Sequence, residues 1–182
     1  MRIGVLGTGV VGQTIGTMAA AAEFGELVIN ATLGSGALEA LEAASAPSLD
    51  GKVVIDISNA LDSASGFPPT LLVANTDSLG KQIQRAFPRA HVVKTLNTVT
   101  AGVMVNPGLI AGGHTICVSG NDTDAKATAA TLLRSFGWSD DDIIDLGDIT
   151  TARGPEMYVA LSLRMFSKAG TPHFNIRVVK GA

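Results

Sequence analysis

The chain has 182 residues, of which 46% are hydrophobic and only 16% are charged. This length predicts one domain, residues 1–182, and the apolar composition excludes intrinsic disorder. Thirteen basic and sixteen acidic side chains give a net charge of -3. Because nucleic acid and anionic lipid both attract basic surfaces, we expect neither as a partner. No segment approaches the roughly 18 uninterrupted apolar residues of a membrane-spanning helix.

Cysteine and histidine usage argues against metal binding and against an oxidising compartment. Cys117 is the only cysteine, which excludes an internal disulfide and favours the reducing cytoplasm. The three histidines are scattered, without the short spacing that places two imidazoles on one helix face, so we expect no metal site. We interpret Cys117 as a small buried side chain and His114 as a surface residue.

Short β-branched runs alternate with helical stretches along the chain, which predicts a doubly wound α/β domain with a mostly parallel sheet. The predicted strands are Arg2–Leu6, Leu27–Ala31, Lys52–Ile57, His91–Leu96, Thr115–Ser119 and Ile143–Leu146. The predicted helices are Val10–Ala21, Gly36–Ala44, Ser78–Phe87, Asp124–Phe136 and Ala152–Lys168. The segment Asn59–Asn75 predicts a functional loop, and His173–Lys180 an edge strand or a packing arm.

A glycine-rich turn follows the first predicted strand and opens the first predicted helix. Its sequence is Gly7-Thr8-Gly9-Val10-Val11-Gly12. In a dinucleotide-binding turn, Gly7 allows the tight bend, Gly9 lets the backbone approach a pyrophosphate, and Gly12 lets the helix pack closely on the strand. Backbone amides and the positive helix end would then face the phosphates. The pattern predicts dinucleotide binding, with a purely structural turn as the alternative.

The sequence after the second predicted strand lacks the charged residue that normally distinguishes NAD from NADP. An acidic residue or an arginine is expected about 20 residues further on, at the end of the second strand. Here the strand is followed by Thr32-Leu33-Gly34-Ser35-Gly36, and the next charge is Glu39. Thr32 and Ser35 could bond a ribose or phosphate, or could cap the following helix.

Polar residues near other predicted element ends allow a functional and a structural interpretation. Asn97 can donate to and accept from a carboxamide, or it can stabilise a turn. We interpret Lys94 as structural and Asp56 as the cap of a loop. Arg153 and Glu156, three residues apart, predict an ion pair within one helix or a cap.

Several ordered blocks of the sequence resemble a known family. These blocks are RIGVLGTGVVGQTIG, LVINAT, GKVVIDISNALD, FPPTLLVANTDSLGKQIQRAFP, VVKTLNTV and DLGDITTARGPEMY. Together they span nearly the whole chain. They resemble the NADPH-dependent coenzyme F-420 reductases, which act on a deazaflavin and are related to the reductase domains of STEAP-type metalloreductases.

The resemblance implies a homodimeric Rossmann-type enzyme that transfers hydride between NADP(H) and coenzyme F-420. The residues that would contact NADP are Thr8, Gly9, Val10 and Val11 in the glycine-rich turn, with Ala31, Thr32, Asn97 and Thr98 near the nicotinamide. The deazaflavin would bind by the loop after Asn97 and by His173 and Phe174. Hydride transfer between two cofactors needs no strong side-chain acid or base.

The chain departs from the family after its first helix. There the family carries another strand, a Ser-Arg-type loop that grips the 2′-phosphate, and a helix, so about 30 residues are missing. A genuine deletion, an engineered shortening or a stretch absent from the printed sequence would each produce this gap. Without that unit we expect poor discrimination between NADP and NAD. The alternative function is a non-catalytic or degenerate dinucleotide-binding protein.

Overall fold

The computed structural model describes residues 1–7, 21–64 and 66–181. Its main sheet has six strands, in the order β1-β2-β3-β6-β7-β8. Their bounds are Ile3–Leu6 (β1), Leu27–Asn30 (β2), Val53–Asp56 (β3), His91–Lys94 (β6), Ile116–Gly120 (β7) and Ile143–Asp145 (β8). Two short strands, Leu61–Asp62 (β4) and Thr70–Leu71 (β5), pair antiparallel within the predicted functional loop.

Four of the described helices match the sequence prediction to within one residue at each end. The helices are Ala37–Ala43 (α1), Ala46–Leu49 (α2), Leu79–Ala86 (α3), Ala101–Val105 (α4), Thr123–Ser135 (α5) and Arg153–Ala169 (α6). The sequence did not predict α2 or α4. Residues 21–24 are helical, whereas most of the predicted helix Val10–Ala21 lies outside the described residues. No described helix is both long and apolar enough to cross a membrane.

The sheet is mostly parallel and doubly wound, as predicted. Strands β1, β2, β3 and β6 run parallel, but β7 is antiparallel to β6 and parallel to β8. One face packs on α1 and α3 through side chains such as Val54 and Ile83. The other packs on α5 through side chains such as Ile55 and Leu133. Because both faces are covered, the central strands consist of consecutive apolar residues.

Strand β1 lies at the end of this sheet. Among the described strands it pairs only with β2, with Ile3 opposite Leu27. Residues 7–26 join the two strands, and one helical crossover between parallel strands already needs about a dozen residues. The connection is therefore too short to contain a further strand and helix. This agrees with the gap relative to the family.

The C-terminal residues form a packing arm and not a strand. The Thr115 amide donates to the Ile176 carbonyl at 2.8 Å, and the Val178 amide donates to the Thr115 hydroxyl at 2.9 Å. The arm also covers His114, which is 5% exposed and whose Nδ1 receives a hydrogen bond from the side-chain Nδ2 of Asn175 at 2.9 Å. The interpretation of His114 as a surface residue is therefore wrong, because a segment some sixty residues later covers it.

Candidate functional site

Gly7 and Ala31, two of the residues predicted to contact the nucleotide, lie next to each other where β1 and β2 end. Gly7 directly follows β1, and the Ala31 amide donates to the Leu6 carbonyl at 2.6 Å. A Cβ atom placed on Gly7 would lie 3.3 Å from both the Cβ and the carbonyl oxygen of Ala31. Glycine is therefore the residue that fits this close approach without a shift of its neighbour.

The remaining predicted residues of the glycine-rich turn lie outside the described residues. They are Thr8, Gly9, Val10, Val11 and Gly12. Their contacts with a nucleotide stay predictions.

Thr32 is held by the strand that precedes it. Its hydroxyl donates to Asn30 Oδ1 at 2.8 Å, and the Thr32 side chain is buried. Asn30 in turn donates from Nδ2 to Asp56 Oδ1 at 2.9 Å. The loop after β2 is thus anchored to the buried polar side chains of the sheet, which fixes the position of its first residues.

Asn97 joins the loop after β6 to the loop after β3. Its Nδ2 donates to Asn59 Oδ1 at 3.0 Å, and Asn59 Nδ2 donates to the Asn97 carbonyl at 2.8 Å. The turn-stabilising role considered for Asn97 is therefore present. No described residue donates to Asn97 Oδ1.

The backbone just before Asn97 is strained. Leu96 has a φ of 62°, in the left-handed region that costs a non-glycine residue about 1 kcal/mol or more. Its side chain is 3% exposed and packs in the core beside α5. Such packing can hold the chain in this conformation, which turns Asn97 and Thr98 away from the strand direction.

A cavity of about 150 Å³ opens beside this turn. Its lining includes Asn59, Asn97, Thr98, Val159, Ser162 and Phe174. The loop after Asn97 and the segment around Phe174 are thus brought together, as the family resemblance implies for the deazaflavin site. His173 instead lies near α4, where its Nε2 would be 3.8 Å from a Cβ atom placed on Gly102.

A polar row, consisting of Asn30, Asp56 and Lys94, crosses the sheet just below these loops. The three residues are the last of their strands and lie opposite one another in register. All three are essentially inaccessible to solvent. Lys94 Nζ lies 2.7 Å from Asp56 Oδ2 and also donates to the Ser58 carbonyl. The row therefore fixes the loop after β3 as well as the loop after β2.

Glu156 of α6 extends this network to another helix. Its Oε1 lies 3.4 Å from Lys94 Nζ, and its carboxylate accepts from the Leu79 and Gly80 amides at 2.7 and 2.9 Å. These amides begin α3, so the helix dipole adds to the stabilisation of the carboxylate. Of the two structural interpretations of Arg153 and Glu156, the ion pair is wrong, since Arg153 donates to the Asn75 carbonyl, whereas Glu156 does act as a cap, but of α3 and not of its own helix.

Sequence reasoning considered the members of this network one at a time and missed their assembly. A pattern was nevertheless present, because LVIN, VVID and HVVK are three apolar strands that each end in a polar residue. Parallel strands in register place such residues side by side. Asp56 also caps the loop that follows it, as predicted, by accepting from the Ser58 amide at 3.2 Å.

Two further features concern metals and thiols. The described part of the chain contains no group of three or more His, Cys, Asp or Glu side chains that could hold a metal ion.

Cys117 is half-buried, and burial raises the pKa of its thiol. A raised pKa lowers the thiolate fraction, so Cys117 is unsuited to act as a nucleophile at neutral pH.

The solved structures that resemble this chain differ in how closely they match it. A protein from Arthrobacter sp. FB24, provisionally described as an F420-dependent NADP reductase, is 54% identical with a TM-score of 0.86, over 90% of this chain and 73% of that one. A hypothetical protein from Sinorhizobium meliloti is 22% identical with a TM-score of 0.59, over 84% and 88% of the two chains. An imine reductase from Aspergillus terreus is 20% identical with a TM-score of 0.51, over 84% and 46%.

The last two likenesses show the fold alone. No family model matches the chain, and no curated protein does. The Arthrobacter protein is much more similar in sequence, since more than half of the aligned residues are identical over nine-tenths of this chain. The chain belongs to the family of the F420-dependent NADP reductases, within the NAD(P)-dependent oxidoreductases.

Proposed function

We propose that this protein is an oxidoreductase that transfers a hydride between NADP(H) and the deazaflavin coenzyme F-420. The observation that carries the proposal is the cavity after β6, where Asn97 and Thr98 face the same space as Phe174. A relative with 54% identity is provisionally described as an enzyme of this kind. Cavities at the carboxyl ends of parallel strands are the usual ligand sites of open α/β sheets.

The residues around the cavity suit a nicotinamide ring and its carboxamide. Asn97 Oδ1 can accept from the carboxamide nitrogen, and the Thr98 hydroxyl can donate to its oxygen. Val159, Leu163 and Phe174 add apolar surface on which a planar ring can pack. The cofactors supply the hydride chemistry when bound. The chain's own contribution is to hold the two rings in position and to exclude water.

The polar row would serve this site by keeping its loops in place. Asn30 holds Thr32, and Asp56 and Lys94 hold Ser58. Preorganised loops reduce the ordering that a bound nucleotide must induce, and so favour binding. We assign the row no contact with the reacting atoms.

The experiment that tests the proposal measures binding and turnover separately. NADPH is titrated while its fluorescence is followed, and NADPH is then mixed with F-420 while the absorbance of both is followed. We expect binding and hydride transfer. Binding without transfer would favour the alternative of a non-catalytic dinucleotide-binding protein, and the absence of binding would reject both functions.

A pair of glycine variants tests the glycine-rich turn. Gly9→Ala should abolish NADPH binding, because the added methyl group would occupy space that the pyrophosphate needs. Gly36→Ala is the matched control, since a Cβ atom placed on Gly36 meets nothing within 4 Å. Unchanged affinity in Gly9→Ala would contradict the assignment of the turn.

We also propose a homodimer, as the family resemblance implies. The second half of α6, residues 160–169, contains no buried side chain, yet Leu161 and Phe166 are 57% and 40% exposed. Exposed large apolar side chains favour association with another protein surface. A second copy of the chain is the partner that the family resemblance supports.

A further inference from the structure

We propose that this protein binds its nucleotide through the nicotinamide mononucleotide half alone, so that reduced nicotinamide mononucleotide replaces NADPH as hydride donor. The inference rests on the proposed function and specifies its nucleotide substrate. It is based on the short connection that follows β1 and on the exposed face of that strand. In a complete dinucleotide-binding fold, a second mononucleotide-binding half lies beyond that strand and carries the adenosine.

The connection after β1 leaves no room for that second half. The helix that ends at residue 24 lies directly against β1, because a Cβ atom placed on Gly4 would meet the Ala21 carbonyl oxygen at 2.1 Å. Strand β2 begins at Leu27 and pairs with β1. Residues 7–26, which join the two strands, are therefore too few to form a further strand and helix beyond β1.

The surface of β1 is correspondingly open. Leu6 is 1% exposed on the face of α1 and α3, whereas Val5, on the opposite face, is 56% exposed. A valine in the middle of a parallel sheet strand is normally covered on its face by a helix. The exposure of Val5 indicates that, among the described residues, no helix covers this face of β1.

The distribution of charged residues also argues against recognition of the 2′-phosphate of NADP. From residue 3 to residue 51 the sequence contains no Lys, Arg or His, but five carboxylates. A 2′-phosphate carries roughly two negative charges and needs basic partners. Arg2 lies at the amino end of β1, where it pairs with Glu26 at 3.3 Å and stacks 5.4 Å above the Phe24 ring. Lys126 pairs with Asp145 of β8, at the other edge of the sheet.

In contrast, the residues that would bind the nicotinamide half of the nucleotide are present. Gly7 fits against Ala31 at the ends of β1 and β2, and Asn97, whose Oδ1 accepts from no described residue, follows β6. From β1 to β6 there are three strand spacings, so these groups span roughly 14 Å along one edge of the sheet. Binding energy should therefore come from this half.

Calorimetric titration with four probes tests the proposal directly. The probes are reduced nicotinamide mononucleotide, NADH, NADPH and adenosine 2′,5′-bisphosphate. We expect the dissociation constants of the first three to agree within about tenfold, and the bisphosphate to give no binding heat. Turnover with F-420, followed by absorbance, should show the same equivalence among the three donors. NADPH binding more than about tenfold tighter than the mononucleotide, or binding of the bisphosphate, would overturn the proposal.

An arginine variant serves as the control for hidden recognition of the 2′-phosphate. Arg2→Gln should leave the ratio of NADPH to NADH affinity unchanged, and a selective loss of NADPH binding would contradict the proposal. If none of the three nicotinamide nucleotides binds, the proposed function itself is rejected. If all three bind and NADPH is strongly preferred, the proposed function stands and only the mononucleotide inference fails.

Discussion

Lys94 shows how a charged side chain can be stable in the core of this protein. It is 1% exposed and faces two carboxylates, those of Asp56 and Glu156. The excess negative charge is compensated by hydrogen bonds from Asn30, Ser58 and the first amides of α3. Buried ions are tolerated only when they are paired and hydrogen-bonded in this way.

Removing the cation should therefore be costly. We expect Lys94→Met to lower the free energy of unfolding by roughly 3 to 5 kcal/mol, because two carboxylates would stay buried without their cation. Urea denaturation at pH 7 measures the change. The double variant Asp56→Asn, Lys94→Met removes both members of the shorter ion pair and should be more stable than Lys94→Met alone. Equal instability of the two variants would contradict this account.

At the scale of the element, α3 depends on residues outside itself. The Ser78 hydroxyl accepts from the Lys81 amide at 3.2 Å, and Glu156 accepts from the two preceding amides. These contacts satisfy amides that a helix leaves unpaired at its start. Asp77, just before the helix, receives two hydrogen bonds from Arg85 in its last turn, at 2.9 and 2.8 Å.

The pair formed by Asp77 and Arg85 predicts a dependence of stability on pH. The Arg85 guanidinium holds the pKa of the Asp77 carboxyl well below its usual range. A carboxyl with a lowered pKa stabilises the fold above its unfolded-state pKa near 4, and this contribution is lost as the pH falls through the folded-state value. Because Arg85 is 59% exposed, we expect Asp77→Asn to cost only about 1 kcal/mol at pH 7.

Urea denaturation of the Asp77→Asn variant and the unmodified chain at several pH values measures this effect. The difference in unfolding free energy should be constant at neutral pH and should shrink below about pH 4. Asp141→Asn, at an exposed position, is the control and should show no comparable difference. If the difference in unfolding free energy between Asp77→Asn and the unmodified chain grew on acidification, the prediction would be wrong.

At the scale of the whole molecule, the exposed half of α6 and the hairpin of β4 and β5 form one surface. Phe67 packs edge-on against Phe166, with ring centroids 6.5 Å apart. Phe67 is itself 65% exposed, so this aromatic pair is accessible to another molecule. Such a surface is what the proposed homodimer would bury.

A charge placed on this surface tests the dimer. We expect the unmodified chain to have the mass of two copies by light scattering, and Leu161→Glu to have the mass of one, because an unpaired carboxylate would be buried in the interface. Lys168→Glu, near the exposed end of the same helix, should leave the mass unchanged. A monomeric unmodified chain would reject the dimer.

Local sequence was sufficient to predict the six strands of the main sheet, the longer described helices and the identity of the family. For the six main strands and the four predicted helices that lie wholly within the described residues, predicted and observed bounds differ by at most two residues, because hydrophobic periodicity and capping act over a few neighbouring positions. The shortage of residues between the first two strands was equally visible in the sequence. Chain length alone limits what a crossover can contain.

Only the tertiary structure decided which distant residues meet. The reversed direction of β7 and β8, the capping of α3 by Glu156 and the burial of His114 each depend on segments far apart along the chain. The polar row likewise needs three strands to align in register. Such contacts arise when the sheet and its helices pack together, and no local pattern encodes their pairing.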